Sequence, residues 1–172
     1  MLRVLFNMAF DIDFREKGYI KEHIRRFLLY PNHWENKTNH YNIKLNWRSI
    51  KFTKSNKSKL SNSCGVYCFI VKPKVPNFIE TRYLFYIGQT TRSFPKRYQE
   101  YLEDQEGKGK PRPKVFEMLK LYKDSLYYYY AEIKQSHKID EVEKKLLNTF
   151  VPHINTDIPR AKIKPELKNI YE

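Results

Sequence analysis

Three short stretches of this chain are apolar at every position: VYCFIV from Val66 to Val71, YLFYI from Tyr83 to Ile87 and LYYYYA from Leu126 to Ala131. Successive side chains of a strand point to opposite faces, so a run without a polar break predicts a strand covered on both sides. All three are too short for an ordinary buried helix. The coverings are legible too. Ser93 is a suitable N-cap for a helix reaching about Glu103, with Phe94, Tyr98, Tyr101 and Leu102 inward. VFEMLKLY puts Val115, Met118, Leu119 and Tyr122 on one helical stripe, and Pro152 stops a last helix that begins in DEVEKKLLNTF. The expected fold is mixed α/β (α+β): a small, mostly antiparallel three-stranded sheet flanked by helices.

The first strand begins after a basic, turn-rich connector, KSNKSKLSNS. Residues 1–62 read as an N-terminal elaboration, 63–157 as the core and 158–172 as a basic tail. Within the elaboration, the stretch from Phe14 to Leu29 is broadly helical and Pro31 would end it. NIKLNWRSIKFT alternates apolar and polar residues, as one or two short strands do. Between the first two core strands, KPKVPNFIET forms a long hairpin loop, and the second strand should close at Gly88.

Lysine and arginine outnumber the acids by 33 to 19, a formal net charge of +14. For a domain of this size such self-repulsion is best tolerated when the partner is a polyanion, so nucleic acid is the expected partner. A lysine-rich solubility surface is the blander alternative. The loop GKGKPRPK, with Lys108, Lys110, Arg112 and Lys114, is suited to tracking phosphates, as are Arg92 and Lys96; a solvated charged turn is the competing reading. Cys64 and Cys68 sit four apart in one strand, cannot easily bridge, and have no partners at zinc spacing. They read as core residues of a protein in a reducing compartment. With neither a secretory signal nor a membrane-length apolar run, a soluble cytoplasmic protein is expected, with no membrane partner.

Two charged residues stand in unexpected places. On the last helix, Ile139, Val142, Leu146, Leu147 and Phe150 fall within one arc of about 140°, and Glu143 lies inside it. An inward carboxylate is costly unless it is paired or binds a cation; alternatively, Asp140 and Glu143 form a capping-box-like pair. In the helix after Ser93, Arg97 flanks the apolar arc, where its planar fork could meet phosphate oxygens or simply snorkel to the surface.

Taken in order, Gly65-Val66-Tyr67, Tyr86-Ile87-Gly88, Arg97, and Glu143 followed by Pro152 and Asn155 resemble the GIY-YIG nuclease family. The resemblance spans residues 64–155. It implies an endonuclease that cuts DNA, favoured over RNA, to 5′-phosphate and 3′-hydroxyl ends, using one Mg2+ (or Mn2+) per site. Glu143 would hold the metal and Arg97 would clamp a phosphate oxygen. Tyr67 and Tyr86 would face each other across adjacent strands and bracket the attacking water, with Tyr67 the general base. Gly88 would let the chain turn and a phosphate approach, and Asn155 would orient the helix of Glu143 or a tyrosine hydroxyl. One site cuts one strand, so double-strand breaks would need a homodimer. The alternative is a non-catalytic nucleic-acid-binding module of the same fold. The chain departs from the family pattern in three ways. The segment between Tyr67 and Tyr86 is long, Tyr101 stands where many members carry a histidine, and Arg97 comes one residue later than the commonest spacing, leaving Arg92 as a lesser candidate.

Overall fold

The three apolar runs become β2 (Gly65–Val71), β3 (Tyr83–Thr90) and β4 (Leu126–Glu132) in the computed structural model, which describes residues 23–37, 40 and 43–155. Strand β2 is central, pairing antiparallel with β3 on one side and β4 on the other. The sheet has a fourth strand that the three-strand expectation omits. β1 (Arg48–Lys51), from the stretch before the core, pairs antiparallel with β4, giving the order β1-β4-β2-β3. The physical reason lies in the outer edge of β4, whose backbone groups would otherwise present an open template. β1 satisfies them, and Phe52 just beyond it packs edge-on against Phe69 with ring centroids 5.2 Å apart. The alternation of NIKLNWRSIKFT marks a strand in this stretch, but nothing local says that it joins the core sheet.

Alternation along the strands sorts the core into two layers. One face presents Tyr67, Phe69, Tyr86, Tyr128 and Tyr130 to α2 (Phe94–Gln105) and α3 (Pro113–Leu121). Those helices turn inward the residues their periodicity predicts: Phe94, Tyr98, Tyr101 and Leu102 from α2, and Val115, Met118 and Leu119 from α3. The other face, with Val66, Cys68, Ile87 and Ala131, packs on Ile139, Val142, Leu146 and Leu147 of α4 (Ile139–Phe150). Phe150, though within the apolar arc, is exposed at the point where the chain leaves α4 through a left-handed Val151.

Strand β3 runs on past Gly88 to Thr90 and carries one extra residue opposite the Phe69/Ile70 step. The helix expected from Phe14 lies outside the described residues as far as residue 22, as does the basic tail. Residues 24–30 form no helix; there Phe27 packs on Tyr83 and Phe85, each with centroids 5.6 Å apart. Pro31 opens a helix instead of ending one, sitting at the start of the single-turn α1 (Pro31–Trp34), where its missing N–H costs nothing. Among the described residues no helix is long and apolar enough to cross a membrane.

Candidate active site

The two glycines of the tripeptides are there for contact. A Cβ on Gly65 would lie 2.2 Å from the Ala131 carbonyl oxygen, so only a bare Cα lets β2 and β4 pair there. A Cβ on Gly88 would lie 2.6 Å from the Tyr67 hydroxyl oxygen and 2.7 Å from the ring carbon that carries it. Gly88 is directly opposite Tyr67 in the register, and the phenol lies across it. The glycine thus makes room for a tyrosine; it does not turn the chain. Tyr86 faces Phe69, so the two tyrosines are diagonal neighbours, not opposites, with ring centroids 6.4 Å apart.

Helix α2 brings charge to these phenols. Arg97 donates from Nε to the Tyr67 hydroxyl at 2.9 Å and from Nη2 to the Tyr101 hydroxyl at 3.2 Å. The Tyr67 and Tyr101 hydroxyls are hydrogen-bonded to each other at 2.9 Å. Arg112, exposed at the start of α3, reaches back to donate to Tyr86 at 3.0 Å and to Tyr101 at 3.2 Å. The result is one connected chain, Arg97–Tyr67–Tyr101–Arg112–Tyr86. Hydrogen bonds from charged donors are worth about 1.5–3 kcal/mol each, enough to hold these side chains in single rotamers.

Burial is the first cause, and neighbouring Tyr86 the second, that pushes the Tyr67 phenol well above its ordinary 10.0; Arg97 pulls the other way without prevailing. Burial likewise holds Tyr101 well above that value. Both are therefore neutral near pH 7. Burial works against the Arg97 charge, but Tyr67, Tyr101 and Glu100 outweigh it and raise its pKa, so it remains a cation. Glu100 accepts from Arg97 at 2.5 Å and pairs with Arg92 at 2.6 Å, which places Arg92 behind Arg97 in a second row.

An open cleft of about 310 Å³ lies over this cluster, lined by Arg97 and Arg112, by Lys108 and Lys110 of the basic loop with Gly109 between them, and by Glu100, Glu103 and Asp104. Lys108 is ion-paired with Glu106 at 2.6 Å. Lys96 is exposed elsewhere on α2, and Lys114 is half-buried in α3.

Asn155 grips the edge strand. Its Oδ1 accepts from the Ile87 N–H at 2.8 Å and its Nδ2 donates to the Ile87 carbonyl at 2.7 Å, so one side chain replaces a missing neighbouring strand. That clamp ties the segment after α4 to the middle residue of Tyr86-Ile87-Gly88. Glu143 is half-buried on α4. Helix α4 starts at Ile139 with Lys138 at the cap, and Asp140, already inside the first turn, pairs with Lys144 at 2.6 Å; Asp140 is not the cap of a capping box. From β3, Gln89 stands on the same face as Ile87, the face on which α4 packs, and its buried Oε1 has no hydrogen-bond partner among the described residues.

Residues 63–155, more than half of the chain, match the model of the GIY-YIG catalytic domain. The chain belongs to the GIY-YIG family. Comparison with curated proteins and with solved structures gives no match. Membership makes this a domain of a nuclease family, whose substrates are nucleic acids. Tyr67, Tyr86 and Arg97 of the sequence pattern are joined in one cluster. Its hub is less visible in the sequence, where Tyr101 stands out only as a departure from the family pattern and Arg112 is one basic loop residue among several. For Tyr101 there was a signal, because i and i+4 on a helix are neighbours and it follows Arg97 by four. For Arg112 there was none, because a loop residue's direction is not periodic.

Proposed function

We propose that this protein is a Mg2+-dependent endonuclease that hydrolyses DNA to 5′-phosphate and 3′-hydroxyl ends. The observation that supports it most is the buried Tyr67 hydroxyl held by a cationic Arg97 that lines a cleft carrying four basic and three acidic side chains. An arginine fork suits a non-bridging phosphate oxygen and the charge that grows there.

The residues suit the metal. Mg2+ takes hard oxygen donors, uses one or two protein groups and keeps several waters. Glu143 supplies a carboxylate, and the unpartnered Gln89 amide oxygen faces the helix that carries it. Bound there, the ion would supply Lewis-acid stabilisation of the phosphate and of the departing 3′ oxygen.

The chain's own steps follow from burial. The Tyr67 hydroxyl is covered, so a water reaches it only when Arg97 is drawn off onto the incoming phosphate. The neutral phenol then orients that water for in-line attack; to accept the water's proton it must first release its own to solvent, which it does only once added positive charge lowers its pKa. The bond from water oxygen to phosphorus forms, the bond from phosphorus to the 3′ oxygen breaks, and that oxygen takes a proton from solvent to leave as a hydroxyl. One site cuts one strand, and a double-strand break requires two copies.

The test is supercoiled plasmid incubated with purified protein in Mg2+ or in EDTA, alongside Glu143→Ala. Open-circle product that needs both the metal and Glu143 is expected. Plasmid retarded in a gel but never cut would favour a binding module instead.

A further inference from the structure

The cluster contains a second guanidinium to which the family reading gives no chemistry. Arg112 and Arg97 come from different helices yet converge on one oxygen, the Tyr101 hydroxyl, each at 3.2 Å. Two cations are thus held within two hydrogen-bond lengths of each other. Such a pair is self-repelling, and an anion between them relieves the repulsion. Arg97 has a carboxylate partner in Glu100, whereas among the described residues the partners of Arg112 are phenol oxygens and ring faces. Of its five N–H donors, two are taken. Of the acids of the cleft, Glu100 is shared by Arg92 and Arg97 and Glu103 accepts from Gln99, while Asp104 lies in the field of Arg112 without forming an ion pair with it among the described residues.

We infer that Arg112 is a second catalytic arginine, gripping the scissile phosphate beside Arg97, with the Tyr101 hydroxyl as the bearing that sets the spacing of the two forks. The inference rests on the nuclease reading above and adds a phosphate ligand to it. It also accounts for the tyrosine at the histidine position. A neutral phenol accepts from two guanidinium groups at once, whereas an imidazolium in the same place would add a third positive charge.

Arg112→Ala and Arg112→Lys would be compared with the wild-type chain in three measurements: the cleavage rate at saturating DNA, the thermal midpoint, and the affinity, without metal, for a short oligonucleotide bearing a 5′-phosphate or a 5′-hydroxyl. The expected result is a fall of about 100-fold in saturated rate for both variants, with no rescue by lysine because the fork is lost. Millimolar guanidinium restores part of the Ala variant's rate, and the wild-type preference for the 5′-phosphate disappears. An unchanged saturated rate with uniformly weaker binding and a shallower salt dependence would make Arg112 a tracking contact and overturn the inference. Loss of the thermal midpoint in both variants, with no guanidinium rescue, would make it a packing residue. If the wild type does not cut but keeps an Arg112-dependent 5′-phosphate preference, the nuclease reading falls and the clamp stands.

Discussion

On one face of β2 the side chains are Tyr67 and Phe69; on the other they are Val66 and Cys68. The first face ends in hydroxyls that meet guanidinium groups, so it is rich in oriented polar atoms and sensitive to any change of charge. The second is aliphatic and α4 packs on it, with Ile154 and Asn155 just beyond the helix hydrogen-bonding to Phe85 and Ile87 of β3. The difference teaches a division of labour. On the proposed reading, the tyrosine face holds the groups that would meet a phosphate, and the aliphatic face sets where the helix of Glu143 lies. Tyr128 marks the limit of the first rule: it stacks on Tyr67 with centroids 5.2 Å apart, but its buried hydroxyl has no hydrogen-bond partner among the described residues, so it serves as packing.

If that division holds, removing one charge from each face stops cleavage in distinguishable ways. Glu143→Ala should lower plasmid nicking by about 10³-fold, the scale of losing several kcal/mol of metal assistance, with gel-shift affinity in EDTA unchanged. Arg97→Ala should cost about 10²–10³ and also weaken binding, because it removes a phosphate contact. Equal losses of binding in the two variants would break the comparison.

The glycines test it through packing. At Gly65 the added Cβ meets backbone, which cannot move aside, and Gly65→Ala should destabilise by about 3 kcal/mol or more in urea unfolding. At Gly88 it meets the Tyr67 phenol, which can shift, so Gly88→Ala should cost about 1–3 kcal/mol and slow cleavage more than Gly65→Ala does in the protein that remains folded. Asn155→Ala leaves the Ile87 N–H and carbonyl without their partners, at about 1–3 kcal/mol. Its rate should fall because β3 and α4 come apart. A destabilised Asn155→Ala with a wild-type rate would show that the aliphatic face does not position Glu143.

How much of this was legible in the sequence differs by face. The inward residues of α2, α3 and α4 follow from period, and β2, β3 and β4 from uninterrupted apolar runs, because both signals are local. A strand at β1 was legible from alternation, but its place in the sheet was not, because its pairing with β4 joins positions far apart in the chain. The motif tyrosines were legible as a pair but not as diagonal neighbours, because the extra residue in β3 shifts the register by a step no local pattern announces. The convergence of Arg112 and Arg97 on Tyr101 depends on where a loop ends in space, and only the folded chain supplies that.

Alkaline titration gives the smallest and most graded contrast between the faces. Burial raises Cys68, on the aliphatic face, from 9.0 to about 12, and holds Tyr67, Tyr101 and Tyr128, on the other, well above 10.0. In each case the folded chain keeps a proton that the unfolded chain releases, so stability is fully present below the unfolded value and is lost as pH rises past it. Each such group contributes a slope of about 1.4 kcal/mol per pH unit within its window. Urea unfolding from pH 8.5 to 11, under reducing conditions, should show a gentle decline beginning near 9 that steepens above 10. Cys68→Ala should flatten the early part alone, and Tyr101→Phe the later part alone. The tyrosinate absorbance of Tyr67 and Tyr101, read as the difference between wild type and each Phe variant, should appear only as the protein unfolds. Tyrosinate of Tyr67 appearing in the folded protein at the unfolded value would mean that water reaches it without Arg97 moving, and the gating of Tyr67 by that arginine would have to be abandoned.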